Sequence, residues 1–291
     1  MKKERAFLIY IIAKNNSESS GFNIPDSNTS FLLLGQGTSI TNGAIRKLAE
    51  SGVLVGFTGT GGSPLLAAED IAFLPAQTEY RPTEYMQAWI GIWTNESSRL
   101  DAAKYFLTQR IVFTTKYWAK NEDLLANNIS ISDAQKDRFY KKIATAKNTF
   151  DLLSAEGEWV KSLYGILAKG FTVYDFTRDT ETQHKTLGKP LINSMLTHGN
   201  YVCYGYAGVT LYALGISFAL PLLHGKTRRG ALVFDVADLI KDGIVSPLAF
   251  TMGIQAKKDQ DYRNTLIEKC QKLYVMDFMI DTIKETIEKF A

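Results

Sequence analysis

The stretch Pro75-Ala-Gln-Thr-Glu-Tyr-Arg-Pro82 separates two kinds of sequence. A proline at each end disfavours helix and removes a backbone donor, so the stretch reads as a linker. Before it, apolar residues come in short runs broken by glycine and polar clusters. After it, turn residues thin out and apolar residues recur at helical spacing. The expected fold is therefore α+β. A small N-terminal β-rich domain spans residues 1–77, a linker 78–83, and a larger, mainly α-helical C-terminal domain 84–291.

Outward from the linker on the N-terminal side, Val53 to Phe57 reads as a buried strand ended by Thr58-Gly-Thr-Gly-Gly-Ser-Pro64. Ser39 to Ser51 carries Ile40, Ala44, Ile45, Leu48 and Ala49 at the spacing of a short amphipathic helix. Phe31 to Leu34 is a second strand, and Asn15 to Gly21 a polar turn. The opening Met1-Lys-Lys-Glu-Arg followed by Ala6 to Ala13 imitates a signal peptide. The apolar run stops at Lys14 with no small-x-small cleavage site. Its β-branched and aromatic content fits a buried strand better. On the C-terminal side, helices are predicted at about Glu84 to Ile92, Arg99 to Trp118, Asp133 to Ala146 and Glu156 to Gly170. A polar connection from Thr177 to Pro190 follows. Helical pattern then resumes through Tyr212, and over Asp235 to Asp242, Asp259 to Tyr274 and Met276 to Phe290.

The 291 residues suffice for two domains with cores of their own. Apolar residues are 45% and charged residues 22%, the composition of a soluble globular protein. Lys and Arg number 33 against 30 Asp and Glu, so any nucleic-acid surface must gather its charge locally. Cys203 and Cys270 lie far apart in apolar surroundings and read as reduced, buried thiols, which suits the cytoplasm. No apolar run reaches the ~18 residues of a membrane span.

Glycine-rich stretches fail as nucleotide loops. Gly35-Gln-Gly-Thr-Ser-Ile40 lacks the third glycine of a dinucleotide fingerprint, and Gly59-Thr-Gly-Gly-Ser-Pro64 ends in proline. Gly225-Lys-Thr227 resembles the end of a phosphate loop, but Leu220 stands where its leading glycine belongs.

The chemistry lies in Leu220-Pro-Leu-Leu-His224-Gly-Lys-Thr-Arg-Arg-Gly-Ala-Leu-Val-Phe-Asp235-Val-Ala-Asp238. An apolar run delivers His224 to a glycine turn. Lys226, Arg228 and Arg229 follow, and a second apolar run ends at two carboxylates three positions apart. If Asp235 opens a helix, Asp238 lies one turn on, on the same face. A plainer reading makes Asp235 an N-cap, His224 a satisfied histidine and the basic loop a solvated turn. The combination favours a site. Carboxylate oxygens with one imidazole suit magnesium or manganese. Cations beside such an ion suit a phosphate substrate, so Lys226, Arg228 and Arg229 are the expected DNA contacts. Glu156 is the candidate for a further ligand. It lies one turn from Trp159 and Val160, towards the apolar face of its helix, whereas Glu158 lies off that face. An inward carboxylate is costly unless paired or bound to metal. From spacing alone Glu156 can equally be a capping acid.

Over nearly its whole length the chain resembles the CRISPR-associated integrase, the first of the Cas proteins, and most closely the F subtype of type I systems. The resemblance is carried by Leu33-Leu-Gly-Gln-Gly-Thr-Ser-Ile-Thr41, Val53-Leu-Val-Gly-Phe57, Glu79-Tyr-Arg-Pro-Thr-Glu-Tyr85 and His198-Gly-Asn-Tyr201. It continues through His224-Gly-Lys-Thr-Arg-Arg-Gly230, Phe234-Asp-Val-Ala-Asp-Leu-Ile-Lys-Asp242 and Met276-Asp-Phe-Met-Ile-Asp281. In that family a Glu, a His and an Asp hold a divalent metal. Their motif positions fall on Glu156, His224 and Asp238, with Asp235 as a nearby supporting carboxylate. The resemblance implies an N-terminal β-sandwich, a helical catalytic domain and a homodimer. It implies DNA partners, namely a prespacer and a CRISPR repeat, joined by attack of a 3′-hydroxyl on a phosphodiester. It also implies the second Cas protein, fused in this subtype to the interference helicase-nuclease. The rival readings are a standalone structure-specific nuclease and a non-catalytic DNA-binding module. Prespacer joining in the presence of the second Cas protein separates the first, and metal-dependent cleavage of branched DNA the second.

Overall fold

The computed structural model describes residues 9–14, 18–25, 28–35, 37–58, 73–74, 83–178, 189–225 and 230–291. The chain forms two compact units, Met1–Tyr80 and Arg81–Ala291.

In the first unit, strands β1 (Ile9–Lys14) and β2 (Glu18–Asn23) pair antiparallel, with Ile9 opposite Asn23 and Lys14 opposite Glu18. A second sheet joins β3 (Phe31–Leu34), β4 (Leu54–Phe57) and β5 (Phe73–Leu74). β3 and β4 run parallel, and helix α1 (Asn42–Glu50) makes the crossover between them. β5 returns antiparallel to β4. The Thr41 hydroxyl caps α1 by accepting from the Ala44 amide, and Gly52, at φ +77°, turns the chain out of the helix into β4. Leu34, Leu48, Val53 and Val55 form the core. The strands at Phe31 to Leu34 and Val53 to Phe57 are found within a residue of their expected bounds. The polar turn expected at Asn15 to Gly21 is corrected: Glu18 to Gly21 belong to β2. The serines there carry no strand pattern of their own. The ladder supplied by β1 makes the strand, an effect that local propensity does not encode. Gly35 to Thr38 is a turn, with Gly37 at φ +81° and the Thr38 amide donating to the Gly35 carbonyl. The stretches Gly59 to Pro64 and Pro75 to Pro82 lie outside the described residues.

In the second unit every regular element among the described residues is a helix. The unit runs α2 (Glu84–Thr94), α3 (Glu96–Trp118), α4 (Glu122–Ala126), α5 (Asp133–Thr145), α6 (Thr149–Gly170), α7 (Lys189–Ala213), α8 (Ala231–Ile254), α9 (Asp259–Lys272) and α10 (Val275–Phe290). Asn95, Asn121 and Asn148 cap α3, α4 and α6 through their side chains, and Ser132 forms a capping box with Gln135 at the start of α5. None of the described helices is long and apolar enough to cross a membrane.

α8 organises this unit. It packs against α7, α3, α6 and α9, and nearly every residue from Ala231 to Gly253 is buried. Its apolar residues surround the axis, the pattern of a core helix. Three of its buried residues are nonetheless carboxylates: Asp235, Asp238 and Asp242. Spaced by three and four, they share one face. Next to them, Gly243 allows α3 to come close, since a Cβ there would meet the Phe113 ring at 2.7 Å. A buried carboxylate must find partners, and the fold brings α3, α6 and the loop after α7 to supply them.

Candidate metal centre

The helix that carries the aspartates starts at Ala231, preceded by Gly230 at φ +63° as its N-cap. Asp235 therefore neither opens nor caps it, which corrects both readings of that residue as a helix start. The apolar Ala231 to Phe234, expected as an approach to the helix, is its first turn. Glu156 is likewise not a capping acid. α6 begins at Thr149 under the Asn148 cap, and Glu156 sits two turns inside it.

Asp235 is completely buried and accepts four hydrogen bonds from the loop that returns from α7. Its Oδ2 accepts from the Leu222 amide at 2.7 Å and the Leu223 amide at 3.2 Å. Its Oδ1 accepts from the His224 amide at 3.2 Å and lies 2.6 Å from His224 Nδ1. The carboxylate thus fixes both the loop backbone and the imidazole. With Nδ1 engaged by a carboxylate, Nε2 is the nitrogen left to serve as a ligand. Burial works against the charged imidazole, but the hydrogen bond and charge of Asp235, with Asp238 and Glu156 beyond, raise the His224 pKa.

Opposite His224, Glu156 and Asp238 approach each other. Ligand atoms of Glu156, His224 and Asp238 all lie within 4.8 Å of one another. An octahedral magnesium ion with ligands at ~2.1 Å sets neighbouring ligands roughly 3 Å and opposite ones roughly 4.2 Å apart, so side-chain adjustment can gather the three atoms round one ion. The donor set, two carboxylates and one imidazole, also suits such an ion. Asp238 Oδ1 is buried and pairs with the Lys241 ammonium. A carboxylate oxygen so paired keeps a second lone pair for a ligand. The Lys241 ammonium also lies over the Tyr204 ring, 5.4 Å from its centroid.

Two residues that sequence reasoning did not find complete the centre. Arg110 of α3 is buried, and its guanidinium forks. Nε and Nη2 donate to the two oxygens of Asp242, at 2.6 and 3.1 Å, while Nη1 donates to Glu156 Oε1 at 2.5 Å. Nη1 also lies 3.6 Å from Asp238 Oδ2. Asp242 accepts a further bond from Trp159 Nε1 at 3.0 Å, and the Trp159 ring stacks on Phe139. The two neighbouring carboxyls answer differently. Burial pushes the Glu156 carboxyl up despite Arg110. Burial acts on Asp238 too, but Lys241, Arg110 and His224 hold it down to about 2. Formal charges of Glu156, Asp235, Asp238 and Asp242 against Arg110 and Lys241 leave two negative charges, with His224 neutral. One divalent cation balances them.

A signal for Arg110 exists in the sequence. It falls on the stripe of Ala103, Phe106, Leu107, Ile111, Thr114 and Trp118, all buried. A charged residue in register with a core face is an instruction to look for its partner. Asp242 extends the Asp235 and Asp238 spacing by one more turn. Lys226, Arg228 and Arg229, the expected DNA contacts, lie outside the described residues.

The comparisons with known proteins agree on a family. Residues 9–271 match the family described as "CRISPR associated protein Cas1". Two relatives, each named "CRISPR-associated endonuclease Cas1", come from Pseudomonas aeruginosa and Pectobacterium atrosepticum. Each is 38% identical, over 96% of this chain and 87% of the relative. Among solved structures, a Cas1 protein from Thermotoga maritima superposes with a TM-score of 0.68 at 14% identity, covering 93% of this chain and 88% of the other.

Proposed function

The chain belongs to the CRISPR-associated Cas1 family, and from that membership we infer that it is the DNA endonuclease and integrase of CRISPR adaptation. The reaction is insertion of prespacer DNA into the CRISPR array. A prespacer 3′-hydroxyl attacks a phosphodiester at the end of a repeat. A new phosphorus–oxygen bond forms as the bond to the 3′ oxygen of the preceding nucleotide breaks, and that oxygen leaves as a 3′-hydroxyl. With water as the nucleophile the same centre cuts DNA.

The observation that carries this reading is the convergence of Glu156, His224 and Asp238 within 4.8 Å. In this reading they hold magnesium or manganese. When bound, the ion polarises the phosphoryl oxygens and stabilises the charge that develops on the displaced oxygen. Asp235 orients the imidazole so that Nε2 serves as the ligand. Lys226, Arg228 and Arg229 take the phosphate backbone and fix its register. The finer features of the family come with the reading. They are an N-terminal β-sandwich ending near residue 77, a linker over 78–83 and a catalytic domain over 84–291. A homodimer works with the second Cas protein fused to a helicase-nuclease, as in the F subtype, in the cytoplasm.

The test is half-site integration into a supercoiled plasmid carrying a repeat, with magnesium or manganese and the second Cas protein. Joined product at the repeat boundary is expected. Metal-dependent cutting without joining would favour the standalone nuclease, and neither activity would favour a non-catalytic DNA-binding module.

A further inference from the structure

We propose that Asp242 tunes the affinity of this centre for its cation by drawing the charge of Arg110 away from the ligand carboxylates. The inference rests on the metal-centre reading of Glu156, His224 and Asp238. Arg110 is a resident monovalent cation in a space that suits a divalent one. Its Nη1 already holds Glu156 Oε1 at 2.5 Å and stands 3.6 Å from Asp238 Oδ2. Left to those two partners, the guanidinium would neutralise the oxygens that a divalent ion needs. Asp242 opposes this. It takes Nε and Nη2 in a bidentate fork, the strongest geometry available to a guanidinium–carboxylate pair.

Asp242 is itself held in place and does not join the ligands. Its Oδ2 accepts from Trp159 Nε1 as well as from Arg110 Nε, and it does not belong to the converging group. Its backbone carbonyl accepts from Trp118 Nε1 at 2.9 Å, which ties this turn of α8 to the end of α3. Charge counting gives the consequence. With Asp242 present the buried centre carries two negative charges, with His224 neutral. Without it one remains, and Arg110 leans on Glu156 and Asp238 alone. Removing Arg110 together with Asp242 returns the count to two and frees the ligand oxygens. Asp242 is thus a positioning residue that acts through Arg110.

The experiment measures manganese binding by electron paramagnetic resonance on the full chain without DNA, so that turnover plays no part. Wild type should bind manganese. Asp242→Asn should bind it about tenfold to a hundredfold more weakly, the range for loss of a partner that supports a ligand. Arg110→Gln combined with Asp242→Asn replaces the buried pair by neutral groups of similar shape, a change that folds often tolerate. It should bind within a few-fold of wild type. Unchanged affinity in Asp242→Asn, or no recovery in the double variant, overturns the proposal. No manganese binding by wild type overturns the metal-centre reading instead. If Asp242→Asn does not fold by circular dichroism, the wild type decides alone, by magnetic resonance of its arginine side chains with Arg110→Lys for assignment. Added magnesium should move the Arg110 Nη signal, as Glu156 passes to the ion, and leave the Nε–H signal on Asp242 in place. An Nη signal that stays put, or an Nε signal that moves instead, refutes it.

Discussion

Glu156 and Glu158 stand two positions apart on the same helix and live in opposite environments. Glu156 is 14% exposed, faces Arg110 and Asp238, and has its carboxyl pushed up by burial. Glu158 is 48% exposed and pairs with Lys142, and with Arg138 at 3.3 Å. Its hydrogen bond to Lys142, followed by the charges of Lys142 and Arg138, pulls its carboxyl down. A step of two residues turns a helix by about 200°, so one glutamate meets the core and the other meets water. Residue type is therefore no guide to chemistry on α6. What distinguishes the two is the cost of burying a charge. Burial is tolerated at Glu156 because Arg110 answers it and, in our reading, a metal ion answers it further.

The largest break in this comparison comes at the converging ligands. Glu156→Ala, His224→Ala and Asp238→Ala should each lower DNA cleavage and integration by roughly a hundredfold or more. Double variants should lose little more than single ones, because the three act as a unit. Glu156→Gln keeps the volume and an acceptor for Arg110, so its loss should come with a near-native circular dichroism spectrum. Full activity of His224→Ala with magnesium supplied would remove the imidazole from the centre.

A smaller effect is expected one contact further out, at Asp235. It holds His224 Nδ1 and the amides of Leu222, Leu223 and His224. Asp235→Asn turns an acceptor into a donor that faces amides already donating. The imidazole is then poorly aimed but still present, and activity should fall about tenfold to a hundredfold. High manganese should restore part of it, because mass action refills a weakened site. Asp238→Asn should recover little under the same titration. Amide hydrogen exchange at Leu222 to His224 should speed up in Asp235→Asn and stay slow in Asp238→Asn. The reverse order of rescue would exchange the roles of the two aspartates.

Next in size is the basic loop. If Lys226, Arg228 and Arg229 contact phosphates, duplex affinity must fall steeply with salt. Each lost contact should then flatten the log–log slope by roughly 0.9. A salt titration of Arg228→Ala combined with Arg229→Ala checks this. A slope equal to wild type would mark the loop as solvated and place the DNA elsewhere.

The sequence carried much of this molecule and missed the rest for identifiable reasons. The long helices were legible because their apolar residues repeat at helical spacing, and the predicted Asp259 to Tyr274 contains the observed α9, Asp259–Lys272. The start of α8 was not. Ala231 to Phe234 is apolar throughout, so it reads equally as an approach or as a first turn. β2 was hidden because its partner, not its composition, makes it a strand. At the site, Glu156, His224 and Asp238 were legible as residue types, and the structure brings them together. Arg110 and Asp242 escaped because their meaning is mutual. They lie 132 positions apart, and the apolar stripe around Arg110 calls for a partner without saying which residue it is.

The smallest expected effect is at Glu158, and it tests the comparison from its other side. Glu158→Gln removes a charge from an exposed cluster in which Arg138 and Lys142 keep water as an alternative partner. Such surface pairs contribute little, so the melting temperature should stay within roughly a degree or two of wild type. Cleavage and integration should not change at all, since Glu158 lies on the face turned away from Arg110. The sign of the small remainder is fixed. The folded-state pKa of Glu158 is depressed, so its contribution exists above the unfolded-state value and fades as pH falls through the folded one. Wild type and Glu158→Gln should therefore converge in stability as pH falls through that lowered folded-state value, below which the glutamate is protonated in either state. Thermal melts at pH 7 and pH 3 supply the comparison. A difference that grows towards acid, or a loss of activity like that of Glu156→Gln, would mean that the two faces of α6 are not separated in the way the burial of Glu156 and the exposure of Glu158 require.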